Sequence, residues 1–269
     1  MSGFARYPRL LAAFAKFALA RELAFRGNFL AKMLVEILWL SILLVFYRTI
    51  FAKTSHVAHW NESEYLFFVG CYFALEGVIE TLFLENLMGF ADLVRSGELD
   101  FYLLQPIDEQ FLISCKGFDW STAPNIFLGM GVMLMSFRSG GWTFEITTFA
   151  IFVFMFLAGL LLAYSFLLIL ASTSVWLIRN SSLLELWWLF TSLMRYPRDI
   201  FRNNWAAPIG FVFSFLIPVM LVVHVPASTM VKLIDGWICL YTLLCSLVML
   251  CLSRLVLKRS LRYYRSASS

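Results

Sequence analysis

Five charged side chains stand inside otherwise apolar stretches of this 269-residue sequence: Glu36, Glu76, Glu80, Lys116 and Asp119. An acid placed in hydrocarbon costs on the order of 3 kcal/mol, so such groups must face protein or water and mark functional positions by default. Two chemistries suit them. One is a polar path that carries something across a membrane. The other is a set of ion pairs, Glu80 with Lys116, whose only task is to make the charges tolerable. The sequence alone favours the pairing, since intramembrane charges also pair simply to be accommodated. His56, His59, Glu62 and Glu64 form a second group. A zinc site needs three or four fixed ligands, and a solvated loop accounts better for this spacing, so no metal is expected. No Ser/His/Asp arrangement can be built from the spacing. There is no Gly-Lys pair anywhere, so no phosphate-cradling loop of the G-x-x-x-x-G-K-[ST] type. Neither cofactor nor catalytic residue is expected.

The elements that hold these charges are membrane helices. The chain is 61% hydrophobic and 14% charged, with 28 Phe and 9 Trp, and its mean hydropathy is +0.80. Soluble domains average about 45–50% apolar and about 25% charged. An all-α polytopic membrane protein is the class this composition indicates, a single membrane domain over 1–269. Apolar runs long enough to cross a bilayer predict six spans, near 28–51, 64–88, 111–136, 146–177, 205–224 and 231–255. Residues 8–27 read as an amphipathic interfacial helix, with Leu10, Leu11, Phe14, Phe17, Ala18 and Phe25 on one face. Residues 181–204 read as a second interfacial segment, broken at Pro197. HVPAST (224–229) reads as a tight turn. Pro124, Gly129 and Gly131 look like weak points of the third span. Gly70, Ala74, Gly77 and Thr81 make a small-residue stripe suited to close helix packing. The five cysteines form no C-x-x-C pair and read as buried thiols.

Lys and Arg placement orients the spans. With six crossings, 17 of the 21 basic residues, among them Arg179, Arg195, Arg198, Arg202 and Arg265, share one side. Arg48, Lys53, Arg138 and Lys232 fall on the other. The positive-inside rule makes the first side cytoplasmic, with both termini. The basic balance thus expresses topology; no nucleic-acid partner is expected.

One cytoplasmic segment, about 89–110, is too polar to cross and too apolar for a plain loop. It contains RSGELDFYLLQPID, Arg95 to Asp108. Leu99, Phe101, Tyr102, Leu103 and Leu104 supply an apolar surface. Arg95, Glu98, Asp100 and Asp108 flank it, and Gly97 and Pro106 bound it. An amphipathic segment resting on the membrane surface fits that composition. So does a docking element.

This segment resembles the R-x-G-x-L-D-x-x-L-x-x-P signature of bacterial ABC-2 type permeases, in the branch whose permeases are often encoded in pairs. MRYPRDIF (194–201), FLIPVMLVVHVPAS (215–228) and LRYYRSASS (261–269) resemble the same branch and occur in the same order. The resemblance implies a six-span export permease in the bacterial inner membrane, forming the translocation pathway. It implies two ATPase subunits and a second permease, identical or paralogous, as partners. It also implies that Glu98, Leu99, Asp100, Phe101, Tyr102 and Leu103 form the coupling element docked on the ATPase. Broken helices near the outer ends of the last two spans are usual in such permeases; here the turn is short for a full re-entrant hairpin. Two other readings remain: an ion-coupled secondary transporter using Glu76 and Glu80, which the absence of an internal repeat disfavours, and a membrane scaffold.

Overall fold

The computed structural model describes residues 6–176, 181–202, 206–232 and 235–264. Arg179 and Arg265, both counted in the charge placement, lie outside the described residues, as does the end of the basic tail. Among the described residues every regular element is helical. The first six are α1 (Arg6–Ala24), α2 (Arg26–Phe51), α3 (Glu62–Ile79), α4 (Glu85–Met88), α5 (Phe90–Ser96) and α6 (Leu99–Leu103). Next along the chain come α7 (Glu109–Cys115), α8 (Pro124–Ser139), α9 (Ile146–Thr173), α10 (Ser181–Met194), α11 (Ala207–Phe211), α12 (Leu221–Val231) and α13 (Gly236–Tyr263). The protein is an all-α, polytopic membrane protein. Among the described residues, four helical stretches are long and apolar enough to cross a membrane: 26–51, 62–96, 146–173 and 236–263. The bent pair Ala207–Leu216 and Leu221–Val231 makes a fifth if taken as one span.

The centre is α3. Its start is fixed by a capping box: Asn61 Oδ1 accepts from Glu64 N–H and Glu64 Oε2 accepts from Asn61 N–H, both at 2.9 Å. A π-helical stretch, Glu80–Leu84, carries it into α4. The small-residue stripe lies against α8. A Cβ on Gly70 would fall 2.7 Å from the Gly129 carbonyl, and one on Gly129 would fall 2.5 Å from Ala74 N. Gly77 meets Asn125 and Ile126, and Thr81 and Thr122 hydroxyls lie 3.0 Å apart. Gly129 is therefore a contact, not a weak point. Pro124 is also no break: it opens α8 at the first turn, where its missing N–H leaves nothing unsatisfied. The interruption lies earlier, at 116–123, so the expected 111–136 span divides into α7 and α8.

Two ends of the molecule can be told apart by contacts. At one, Arg6 Nη1 donates to the Pro106 carbonyl, Trp120 Nε1 donates to the Ala15 carbonyl, and Arg254 Nη2 donates to Asp108 Oδ2. This terminal end gathers α1, the 85–120 region and the last turns of α13. At the other, Ser136 Oγ donates to the Ser63 carbonyl and the Tyr65 ring packs edge-on against Phe51 and tilted against Tyr47. This loop end carries the 52–61 connection.

The 199–232 stretch differs most from expectation. Trp60 Nε1 donates to Asp199 Oδ2 at 2.9 Å, and Lys232 Nζ donates to the His59 carbonyl at 2.7 Å. Both ends of the stretch are thus tied to the loop end. Between them the chain turns by 93°, and Val222 reaches Gly159 in the middle of α9. HVPAST is not a turn but lies within α12. Pro226 has no N–H to offer the Val222 carbonyl four residues earlier. That carbonyl lies instead against Gly159, where a Cβ would fall 2.3 Å away. A proline on one helix and a glycine on the other thus let α12 approach α9 at backbone distance.

Candidate functional site

The 89–110 segment folds into two short helices. Gly97 ends α5 with φ +76°, a left-handed conformation that glycine adopts without strain. The chain then re-enters a helix at once. Of the expected coupling residues, Leu99 is 0% exposed while Phe101 is 69% exposed; Leu104, beyond α6, is 81% exposed. Leu103 is also exposed. Leu99 therefore anchors α6 to the body, and the outward apolar surface is Phe101, Leu103 and Leu104. Tyr102 is half-buried beneath the Lys116 ammonium, 4.0 Å above its ring. Glu98 stands at the N-cap of α6 and Asp100 in its first turn.

Asp108 holds the start of α7 and ties it to α13. It caps α7 by accepting from Phe111 N–H at 3.3 Å and takes the Arg254 guanidinium at 2.7 Å. Burial alone would push its carboxyl up. The Arg254 hydrogen bond and the backbone N–H groups outweigh burial and hold it below the usual carboxylate range. Arg254 Nη1 also donates to Gln110 Oε1 at 3.1 Å, and Gln110 Nε2 donates to Tyr164 at 3.0 Å. The base of the α5–α6 element is thereby tied to α9 and α13. None of these partners stood out in the sequence, because nothing in their spacing signals a contact 146 residues apart.

The three intramembrane glutamates are brought together by α2, by α3 with its π-helical continuation, and by the start of α8. Asn125, at the start of α8, donates to Glu36 Oε2 on α2 at 2.9 Å and faces Glu80, the first residue of the π-helical stretch after α3. Tyr72 donates to Glu76 Oε1 at 2.6 Å. Arg195, just past α10, lies 5.3 Å from the Trp39 ring and 5.6 Å from the Tyr72 ring, within electrostatic reach of Glu76. The expected Glu80–Lys116 pair does not form: Lys116 is engaged with Tyr102, and the charges around Glu80 are Glu76, Glu36 and Asp119. Asp119 instead pairs with Lys32 at 3.5 Å and receives the Ser121 N–H at 3.1 Å. Asn125 and Arg195 complete the group and were not singled out from the sequence. Arg195 was read as a basic topology marker.

The sequence profile of the family described as ABC-2 family transporter protein matches residues 37–268. This chain belongs to that family. It is a membrane permease of an ABC transporter, a multi-pass transport component, and the membership implies an ABC ATPase partner. No curated protein and no solved structure matches the chain.

Proposed function

We propose that this permease is the membrane half of a bacterial ABC exporter, coupled to its ATPase through α5 and α6. The observation that carries the reading is the exposed apolar surface of Phe101, Leu103 and Leu104 on an element whose base is clamped by Asp108 and Arg254. Docking surfaces concentrate their energy in a few apolar or aromatic anchors. A clamped base passes a push on α6 into α9 and α13 rather than dissipating it in a loose loop.

The same reading assigns six crossings: α2, α3 with α4, α8, α9, α10 with the turn to Arg202, and α13. The 207–231 stretch enters from the loop end and returns to it as a re-entrant hairpin. The Trp60–Asp199 and Lys232–His59 contacts support this assignment over an interfacial 181–204 segment. Both termini and α6 then face the cytoplasm, in the bacterial inner membrane. In this reading two ATPases and a second permease, identical or paralogous, complete the transporter.

The test is isolation of the tagged chain from its own cells in mild detergent. A co-purifying polypeptide with a phosphate-binding loop, and ATP hydrolysis confined to preparations that contain it, are the expected result. A chain that transports substrate in proteoliposomes with no such partner is a secondary transporter, and the proposal fails.

A further inference from the structure

Three carboxyl groups, Glu36, Glu76 and Glu80, converge from α2 and α3 on one polar face in the middle of the helical body, opposed by a single guanidinium, Arg195. Glu76, Glu80 and Glu36 are each half-buried, not sealed. Asn125 is 2% exposed. Its Nδ2 is spent on Glu36, and its Oδ1 is buried with no hydrogen-bond donor. A buried acceptor left among carboxylates is costly unless a donor is supplied. No protein cation among the described residues fills that role: Lys116 lies over Tyr102 and Lys32 pairs with Asp119.

The aromatic rings beside the carboxyls give a second, independent indication. Trp39 and Tyr72 present their faces to the Arg195 guanidinium. Ring faces of this kind attract cations, and quaternary nitrogen is recognised in the same way. Tyr72 is fully buried beneath that guanidinium, whereas Trp39 is exposed, so acidic groups, an unpartnered acceptor and the accessible Trp39 ring together describe a site for a positively charged organic group.

We propose that this face binds an organic cation, a protonated amine carrying apolar substituents, as the transported substrate class. The inference rests on the permease reading for its transport meaning but not for binding. The carboxyls attract the charge. Trp39 receives the nitrogen and its substituents, and an N–H of the protonated amine satisfies Asn125 Oδ1. Arg195 holds Glu76 and the ring faces in place until the ligand competes for them.

The experiment uses the full chain in lipid nanodiscs without ATPase. Binding of benzylammonium is measured by calorimetry beside phenylmethanesulfonate, an anion of similar shape. The cation is expected to bind and the anion not. Glu36→Gln and Glu80→Gln are each expected to weaken cation binding about tenfold, the scale of one lost contact to a charge. Trp39→Leu is expected to weaken it a few-fold. Equal binding of cation and anion, or no binding of either to the wild-type chain, overturns the proposal without any variant having to fold. Variants that elute and melt as wild type yet bind the cation unchanged also overturn it. Because no ATPase is present, a negative result here leaves the permease reading intact, and a missing ATPase partner leaves this site intact.

Discussion

Gly159 shows how a single hydrogen in place of a methyl group sets the position of a helix. The Val222 carbonyl occupies the space where its Cβ would be. Gly159→Ala should therefore force α12 away from α9 and lower the melting temperature, by about 1–3 kcal/mol of overpacking. Gly131 has nothing within 4 Å of its Cβ position. Gly131→Ala should leave stability unchanged or raise it slightly, as helix propensity favours Ala by about 1 kcal/mol. Thermal unfolding in detergent compares the two; equal losses would mean that the α9–α12 approach is not close. The sequence revealed Gly70, Ala74, Gly77 and Thr81 as a contact stripe because their spacing is that of a helix face. It did not reveal Gly159 or Pro226 as partners, because they lie on different helices and only the fold sets one against the other. The same holds for the intramembrane acids. Their unusual location was legible, but Asn125 and Arg195, which decide what the acids do, are ordinary residues until α8 and α10 are packed.

At the scale of elements, α6 is a platform held from below. Leu99 is its buried anchor, so the apolar stripe seen in the sequence divides into an inward residue and an outward set. Alternation of burial over five residues could not be settled without knowing how α5 ends. The Asp108–Arg254 pair beneath it has a pH signature. The carboxyl ionises more readily in the folded chain than in the unfolded one. Its contribution is thus complete above the usual carboxylate range, about pH 4, and is lost as acidification carries the pH down through the depressed folded value. Asp108→Asn should lower stability at neutral pH and flatten the acid limb of a stability-versus-pH profile. A variant whose acid limb matches wild type would show that the pair is not formed. Span edges are legible where a helix meets a polar loop, as at the end of α2 and the start of α3. They were read poorly where a helix is broken inside apolar sequence, as at 116–123 and 217–220, because apolar composition does not distinguish a helix from a bend packed among helices.

At the scale of the whole molecule, the all-helical membrane class was legible from composition. The path of the chain after α9 was not. Arg195, Arg198 and Arg202 look like cytoplasmic markers. In the fold Arg195 lies against Trp39 and Tyr72, while Arg198 and Arg202 flank Asp199 at the loop end. In the proposed path these three arginines make interior contacts instead of marking the cytoplasmic side, which charge counting alone does not distinguish. Arg202→Cys, in a background with the five native cysteines replaced, should label from the same side as Lys53→Cys. Labelling from the cytoplasmic side would restore an interfacial 181–204 segment and remove the re-entrant hairpin. The central claim is that the permease is driven through α6, and one double variant tests it most directly. Phe101→Ser with Leu103→Ser removes exposed apolar groups and leaves Leu99 and the Asp108–Arg254 clamp in place, so the chain should still insert and fold. Co-purification of the ATPase and substrate-stimulated ATP hydrolysis are then measured in proteoliposomes. The account predicts loss of the ATPase, or hydrolysis no longer linked to transport. A double variant that keeps its ATPase and transports at the wild-type rate would contradict it.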